Sequence, residues 1–399
     1  MWYVYIILAI IVLYILLCAY VKVKFRFWSI QPVFHIYDFM YWINPPGVIN
    51  HDLPEFNNYI NLLNITTKSL DDMNETTISR VSNFINSYYL RNKNAEYTPS
   101  KENIIEYLKN SNHPAYITIH AEPKILFSNG EPKAHIDDFK GVITARPLHI
   151  TLKNKKTFPT YYVDNLCINP VYRKKGIAPT IIQTMAYNVR RLNKKVNTFM
   201  FKREGNMTAI VPLTTYTTIG YELPNIDSEI MKNERLYASM AVIEITTSNL
   251  HLFADFIQSN IKKFDCVVLP EISNIATLIK SNNLFIYAII ENGNIMACYI
   301  FKNPSLKYDK KHQVIECITS ISCCGHKEIF TTGFNIALQM CRKHNNATRL
   351  LLENTANSNE IVERYERMNI KIFTQNPTAF FMYNYACYSI NQNKCLFIY

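Results

Sequence analysis

Trp2 to Tyr20 is an unbroken run of uncharged, apolar side chains. Its length is close to the ~20 residues that a membrane-spanning helix needs. The run therefore divides the chain into a hydrophobic opening and about 375 of the 399 residues that must build a water-soluble fold of their own. Trp2, Tyr3 and Tyr20 stand at its ends, where aromatic rings settle at the lipid headgroup level. A cleaved signal peptide would carry basic residues ahead of the apolar run, and none is present, although Leu17-Cys18-Ala19 would pass as a cleavage site. Lys22, Lys24 and Arg26 follow at once, and the positive-inside rule places them in the cytosol. The expectation is a single-pass anchor over residues 1–21, in the membrane through residues 2–20, with the rest of the chain facing the cytosol.

The charge is concentrated. Lys and Arg number 42 against 31 Asp and Glu, an excess of +11. Residues 1–37 carry three of the basic side chains and residues 165–203 carry nine, and neither stretch contains an Asp or Glu. A diffuse basic coat is thereby excluded, and no nucleic-acid recognition motif accompanies the second cluster, so nucleic acid is not an expected partner. An apolar content of 48% excludes a disordered chain. The ten cysteines are scattered, and Cys323-Cys324-Gly325-His326 lacks the second half of a zinc site. No metal is expected, and the pattern favours a reducing compartment. The asparagine-, isoleucine- and lysine-rich composition points to an AT-rich genome such as that of a large DNA virus.

Residues 44–75, with Pro45-Pro46-Gly47 and many asparagines, read as irregular connection. Helical spacing follows within 76–110, at Val81, Phe84 and Ile85. Tyr116 to His120 alternates as a strand; Phe139 to Ala145 and Leu148 to Leu152 read as two more, broken by Pro147. Tyr161 to Ile168 is a strand that stops at Asn169-Pro170, and a helix begins near Ala178-Pro179. Met240 to Ile245 opens a second half. Glu291-Asn292-Gly293-Asn294 joins a hairpin between Ile286–Ile290 and Ile295–Phe301. A helix over Phe334–Cys341, a strand over Leu350–Leu352, a helix over Ile361–Met368 and a final strand over Phe380–Tyr385 follow. The second half repeats the order of the first, giving an α/β (α+β) protein of two similar lobes. The expected divisions are 1–21 anchor, 22–75 lead-in segment and linker, 76–235 first lobe and 236–399 second lobe.

The chemistry is concentrated in Asp164-Asn165-Leu166-Cys167-Ile168-Asn169-Pro170-Val171-Tyr172-Arg173-Lys174-Lys175-Gly176-Ile177-Ala178-Pro179. A strand ends, a basic turn follows and a helix starts. Free amides at a helix start cradle phosphate oxygens, and the helix dipole adds to the attraction. Gly176 allows close backbone approach, and Arg173, Lys174 and Lys175 complement a pyrophosphate.

The motif Arg-x-x-Gly-x-Ala at this helix start resembles the coenzyme A loop of the GCN5-related acetyltransferase superfamily. Phe25-Arg26-Phe27-Trp28-Ser29-Ile30-Gln31-Pro32-Val33 resembles a segment of N-myristoyltransferases, Phe-Trp-x-Thr-Gln-Pro-Val, that wraps over the coenzyme. Asn165-Leu166-Cys167-Ile168, with Arg173, Lys175, Ala178 and Pro179, resembles that family's Phe-Leu-Cys-Val segment and basic loop. Gly141 to Pro147 and Phe380 to Tyr385 are similar to two further family strands. The resemblance covers residues 25–399 and implies two acetyltransferase-like lobes related by a pseudo-twofold.

It also implies an activity: transfer of a myristoyl group from myristoyl-CoA to the amino-terminal glycine of protein substrates. Phe25, Arg26, Phe27, Trp28, Cys167, Ile168, Arg173, Lys174, Lys175, Gly176, Ile177, Ala178 and Pro179 would hold the coenzyme. The backbone amides of Asn165 and Leu166 would bind the thioester oxyanion, and the terminal carboxylate of Tyr399 would serve as base. A thioester reacts directly with an amine, so no protein nucleophile is needed. A carboxylate of pKa ~3.3–3.7 suffices to help neutralise an α-amine of pKa ~7.7–8.0. The family's basic and aromatic peptide-side strand reads here as Leu213-Thr214-Thr215-Tyr216-Thr217-Thr218-Ile219-Gly220, and Phe201-Lys202-Arg203-Glu204-Gly205 before it is also unlike the family. Two alternatives stand beside the main expectation. One is an acyltransferase with another acyl donor or amine acceptor; the other is a membrane or virion protein that keeps the fold without catalysis.

Overall fold

The computed structural model describes residues 2–90, 95–128, 131–153, 156–205, 208–223 and 235–399. Met1 of the expected anchor, and residues 224–234 ahead of the expected lobe boundary, lie outside the described residues. Helix α1 (Trp2–Lys24) opens the chain, apolar on every side, with Val21 its one buried residue. It is the one helix among the described residues long and apolar enough to cross a membrane. Short α2 (Phe39–Ile43), β1 (Gly47–Val48), β2 (Ile65–Ser69), α3 (Glu75–Tyr88), β3 (Ala95–Tyr97) and α4 (Glu102–Ile105) come next. The first half then runs β4 (Tyr116–Ser128), β5 (Glu131–Leu152), β6 (Phe158–Ile168), α5 (Ile177–Leu192), β7 (Phe199–Glu204) and β8 (Thr214–Glu222).

The second half begins with β9 (Met240–Ile245), α6 (Leu250–Asn260), β10 (Cys266–Leu269) and α7 (Ile272–Lys280). It continues with β11 (Leu284–Glu291), β12 (Asn294–Lys302), β13 (Leu306–Tyr308), β14 (His312–Ser322) and α8 (Lys327–Asn345). It closes with β15 (Arg349–Glu353), α9 (Ser358–Arg367), β16 (Ile372–Tyr383), β17 (Tyr385–Ala386) and β18 (Cys395–Phe397).

One mixed sheet carries both halves, in the order β18-β10-β5-β6-β7-β16-β8-β15-β14-β12-β11-β9, with β2 and β4 beside β5. Each half has one parallel pair joined by a helix: β6–β7 across α5 and β14–β15 across α8. At the centre each half gives one strand to the other. β16 pairs with β7, while β8 pairs with β15, and β8 and β16 pair antiparallel with each other. The 76–235 segment thus contributes β8 to the sheet of the second half.

Local chemistry explains the elements. Asn74 caps α3 by accepting the Thr77 amide, and Val81, Phe84 and Ile85 turn its apolar face inward. On the other face of the sheet, Ile181, Met185, Ala186 and Val189 of α5 pack on Ile143, Ala145, Tyr161 and Phe199. Asn292 and Gly293, both at positive φ, make the β11–β12 turn.

Three expectations need correction. Pro147 does not break the sheet: β5 is one strand from Glu131 to Leu152. Pro147 faces Tyr161 on β6, and the Tyr161 amide bonds Thr198 on the far side, so this pair exchanges no hydrogen bonds. The missing proline N–H therefore points to the opposite edge. There the β4 partners end at Ala145 and the β10 partners begin at His149, so no donor is required. The linker over 44–75 also contains β2, which pairs with β4. Finally, Phe380–Tyr385 is not the last strand, because β18 follows and pairs in parallel with β10.

Candidate functional site

The site is built around a defect in the β5–β6 ladder. Thr144 faces Asp164 and Val142 faces Cys167, so Asn165 and Leu166 together oppose Ile143 as a bulge. Asn165 takes φ +53°, a left-handed conformation that asparagine tolerates better than most residues. Thr144 Oγ1 locks the defect by donating to the Asp164 carbonyl at 3.0 Å and accepting from Asn165 Nδ2 at 3.1 Å. Asp164 Oδ1 accepts the Asn165 backbone amide at 2.7 Å and the Tyr89 hydroxyl at 3.3 Å. The Asn165 amide, expected as an oxyanion donor, thus has a carboxylate oxygen on it.

Beside the bulge lies an apolar cavity of about 160 Å³. Ile182, Met185 and Ala186, spaced i, i+3 and i+4 on α5, form one wall. Phe199 and Phe201 form another, and Trp28 closes it by stacking on Phe201 with ring centroids 5.4 Å apart. Phe27 braces Trp28 edge-on at 5.1 Å. Phe25 and Arg26 precede this contact, and Arg26 is exposed. The polar end of the cavity is Tyr89, Asp164, Asn165 and Lys202.

A second, more open groove follows the end of β6 toward the start of α5, along Tyr88, Leu166, Ile168, Arg173 and Ala178. Gly176 sits immediately before α5 at φ +80° with open space where a Cβ would go. Its role is to supply a left-handed turn, and, having no side chain, it leaves the first-turn amides of Ile177 and Ala178 without a side-chain cap. Lys174 and Lys175 are exposed beside it, with Lys175 over the Tyr172 ring at 5.3 Å. Arg173 is already engaged: its Nε donates to the Ile168 carbonyl at 3.1 Å and its Nη2 to the Tyr88 carbonyl at 3.0 Å. It ties the end of α3 to the turn. Cys167 is buried toward α3, and burial pushes its thiol up to about 12, so it stays protonated and inert.

On the opposite side of the bulge is a polar groove of about 450 Å³, which shares Tyr89, Val163, Asp164, Asn165 and Lys202 with the apolar cavity. Lys202 Nζ lies 2.6 Å from Glu353 Oε1, 3.0 Å from the Tyr399 hydroxyl, 3.2 Å from Glu204 and 3.4 Å from Glu316. The Tyr399 hydroxyl donates to Glu353 Oε1 at 2.5 Å. Lys302 Nζ sits 3.3 Å from Glu316 Oε2 and 4.2 Å from the centre of the Tyr399 ring. Burial opposes charge on Lys202, but Glu353 leads a set of neighbours that outweigh it and hold the ammonium well above its ordinary pKa. Burial likewise opposes charge on Glu316, yet Lys302 and Lys202 pull it down to about 2. Glu353 goes the other way, raised by burial against the pull of Lys202.

Tyr399 lines the same groove as Asn165, with its hydroxyl bonded to Glu353. Asp164, Tyr89, Glu316 and Glu353 were not singled out from sequence. Lys202 was noted only as a departure, and its place at the end of the acid-free 165–203 stretch was the one available signal.

No family model matches the sequence, and no curated protein matches it by sequence. By structure, the chain is similar to Saccharomyces cerevisiae N-myristoyltransferase with bound myristoyl-CoA, at TM-score 0.65 and 13% identity, over 92% of this chain and 94% of that one. A second structure of the yeast enzyme with myristoyl-CoA gives 0.68 at 14% identity, over 92% and 90%. A third, with myristoyl-CoA and inhibitors, gives 0.66 at 13%, over 92% and 91%. The chain thus has the α+β fold of N-myristoyltransferase over most of its length.

Proposed function

We propose that the protein is a membrane-anchored, acyl-CoA-dependent N-acyltransferase that moves a myristoyl group from myristoyl-CoA to the amino-terminal glycine of protein substrates. The observation that carries this reading is the junction at the bulge, where an apolar cavity and a polar groove meet at Asp164, Asn165 and Lys202. An acyl chain in the cavity would present its thioester there, and an amine in the groove would reach it from the other side, with proximity supplying much of the rate. The coenzyme would follow β6 to the start of α5, with its phosphates at Gly176 to Pro179 and beside Lys174 and Lys175. Of the two expected oxyanion donors, the Leu166 amide is the one not given to Asp164 Oδ1. The Tyr399 carboxylate is the proposed base. In this reading the two lobes, 76–235 and 236–399, are related by a pseudo-twofold through the β8–β16 pair, and α1 is the membrane anchor, with the groove on the cytosolic side.

Titration of the full chain with myristoyl-CoA tests the coenzyme assignment: micromolar or tighter binding is expected, weakened at least tenfold in the K174E/K175E double variant. Unchanged affinity in that variant overturns it. Extending the chain past Tyr399 should abolish transfer to glycine-starting peptides without unfolding the protein, and a normal rate from such a protein removes Tyr399 from the mechanism. A second reading, the fold kept without catalysis, draws support from the Asn165 amide being engaged. Tight acyl-CoA binding with no transfer to any amine would favour it.

A further inference from the structure

Arg146 is the first residue of the stretch of β5 between the β4 partners, which end at Ala145, and the β10 partners, which begin at His149. It is 5% exposed and lines the polar groove. Its guanidinium is held against two rings, 4.9 Å from the centre of Tyr107 and 5.1 Å from that of Tyr162. Its Nη1 has no hydrogen-bond partner. Of the other charges around the groove, Arg203 also lines it, while Lys202, Lys302 and Asp164 are engaged. Lys202 takes Glu353, Glu204 and Glu316, and Lys302 takes Glu316. Asp164 takes the Asn165 amide and the Tyr89 hydroxyl. Among the described residues, no carboxylate lies within ion-pair distance of Arg146.

A buried guanidinium nitrogen left without an acceptor is costly, and a planar donor array of this kind matches a carboxylate best. The register places it relative to the reaction centre. Arg146 and Thr144 lie on one face of β5, and their partners Tyr162 and Asp164 lie on one face of β6. Two residues along a strand span about 7 Å. An anion on Arg146 would therefore sit roughly one to two peptide residues from an amine at Asp164–Asn165.

We infer that Arg146 is an anion-recognition residue of the acceptor groove, and that the acceptor carries a carboxylate within two residues of the amine that receives the acyl group. This inference rests on the acceptor-groove assignment made above. It assigns a substrate class, acidic near its amino terminus, that the sequence did not reveal.

Tetrapeptide amides test it. Gly-Glu-Ala-Ala-amide and Gly-Ala-Glu-Ala-amide are titrated calorimetrically against their glutamine counterparts, using the full chain in detergent and loaded with a non-transferable thioether analogue of myristoyl-CoA. At least one glutamate peptide should bind tenfold or more tightly than its glutamine partner. R146M should remove the difference, and R146K should keep part of it. The glutamate-to-glutamine ratio is measured within one protein sample, so a partly unfolded variant does not mimic the result. Equal binding of the two peptides to the parent, binding of neither, or an undiminished preference in R146M overturns the inference. Turnover with myristoyl-CoA separates it from the reading beneath it. Transfer without glutamate preference leaves the acyltransferase standing and removes the Arg146 role. Glutamate-selective binding without transfer does the reverse.

Discussion

Lys202, Lys302, Glu316, Glu353 and Tyr399 come from β7, β12, β14, β15 and the residue pair after β18, and meet as one buried network. Desolvating such charges costs several kcal/mol each, and the cost is offset only while every partner is present. Lys202→Met should therefore lower the unfolding free energy by about 3–5 kcal/mol, because Glu353 and Glu316 are left buried with one cation fewer. A Lys202→Met/Glu353→Leu double variant should lose less than the single one. Urea denaturation of both decides it, and an unchanged midpoint in the single variant would contradict the network's role. Acid dependence follows from Glu316. Its folded pKa lies near 2 against an ordinary 4.5, so its contribution is present above about 4.5 and is lost as pH falls toward 2. Glu353, raised by burial, contributes with the opposite sign: its share is present at low pH and is lost as pH rises through its raised value. The melting temperature of Glu316→Gln should accordingly vary less with pH than that of the parent between 4.5 and 2. None of this was legible in the sequence. The partners are as much as 197 positions apart, and each alone looks like a solvated charge on a strand.

At the scale of elements, what was legible was local. Strand β6, the basic turn and α5 follow one another within 35 residues, and their signals (Asn169-Pro170, Gly176 and the 3.6-residue spacing of Ile182, Met185, Ala186 and Val189) sit next to what they shape. The bulge was not legible, because it depends on how β6 registers against β5, a long-range fact. Nor was the tolerance of Pro147, which depends on a gap between two neighbouring strands. Glycine makes the same contrast. Gly176 is required for its backbone: a left-handed φ costs other residues roughly 1–2 kcal/mol, so Gly176→Ala should weaken acyl-CoA binding while leaving the fold intact. Gly333 is required for its size, since α8 presses there on β11 and β12. A Cβ would fall on Ile289 and within 2.7 Å of the Tyr299 hydroxyl, which itself donates to the Phe330 carbonyl. Gly333→Ala should destabilise by about 1–3 kcal/mol through overpacking, with acyl-CoA affinity unchanged. Thermal melts and titration of the two variants should give opposite patterns; the same pattern in both would mean that one of the two glycines has been misread.

For the whole molecule, the relation of α1 to the folded part sets where the site can work. The Tyr14 hydroxyl donates to the Tyr37 carbonyl at 3.1 Å. Tyr14 is ten residues from Lys24, about 15 Å along the helix axis. The segment around Tyr37 therefore lies alongside the lower half of α1 rather than below its end. Immediately after it, α2 exposes Phe39, Met40, Trp42 and Ile43. A soluble surface gains nothing from four exposed large apolar side chains in five residues, whereas a bilayer interface would bury them. If α1 is the anchor, α2 must lie in the interface beside it, which holds the folded part against the membrane instead of on a tether. Trp28, only four residues beyond α1, closes the apolar cavity, so under the proposed function that cavity would open close to the lipid. The three tryptophans make this measurable. In a Trp2→Phe/Trp28→Phe variant, Trp42 is the sole reporter. Reconstituted into phosphatidylcholine vesicles, the full chain should float with the lipid, and Trp42 emission should be blue-shifted and quenched by lipids brominated near the headgroup end of the acyl chain. Failure to float would remove the anchor itself. Flotation with an unquenched, water-exposed Trp42 would keep the anchor and put the folded part at a distance from the bilayer.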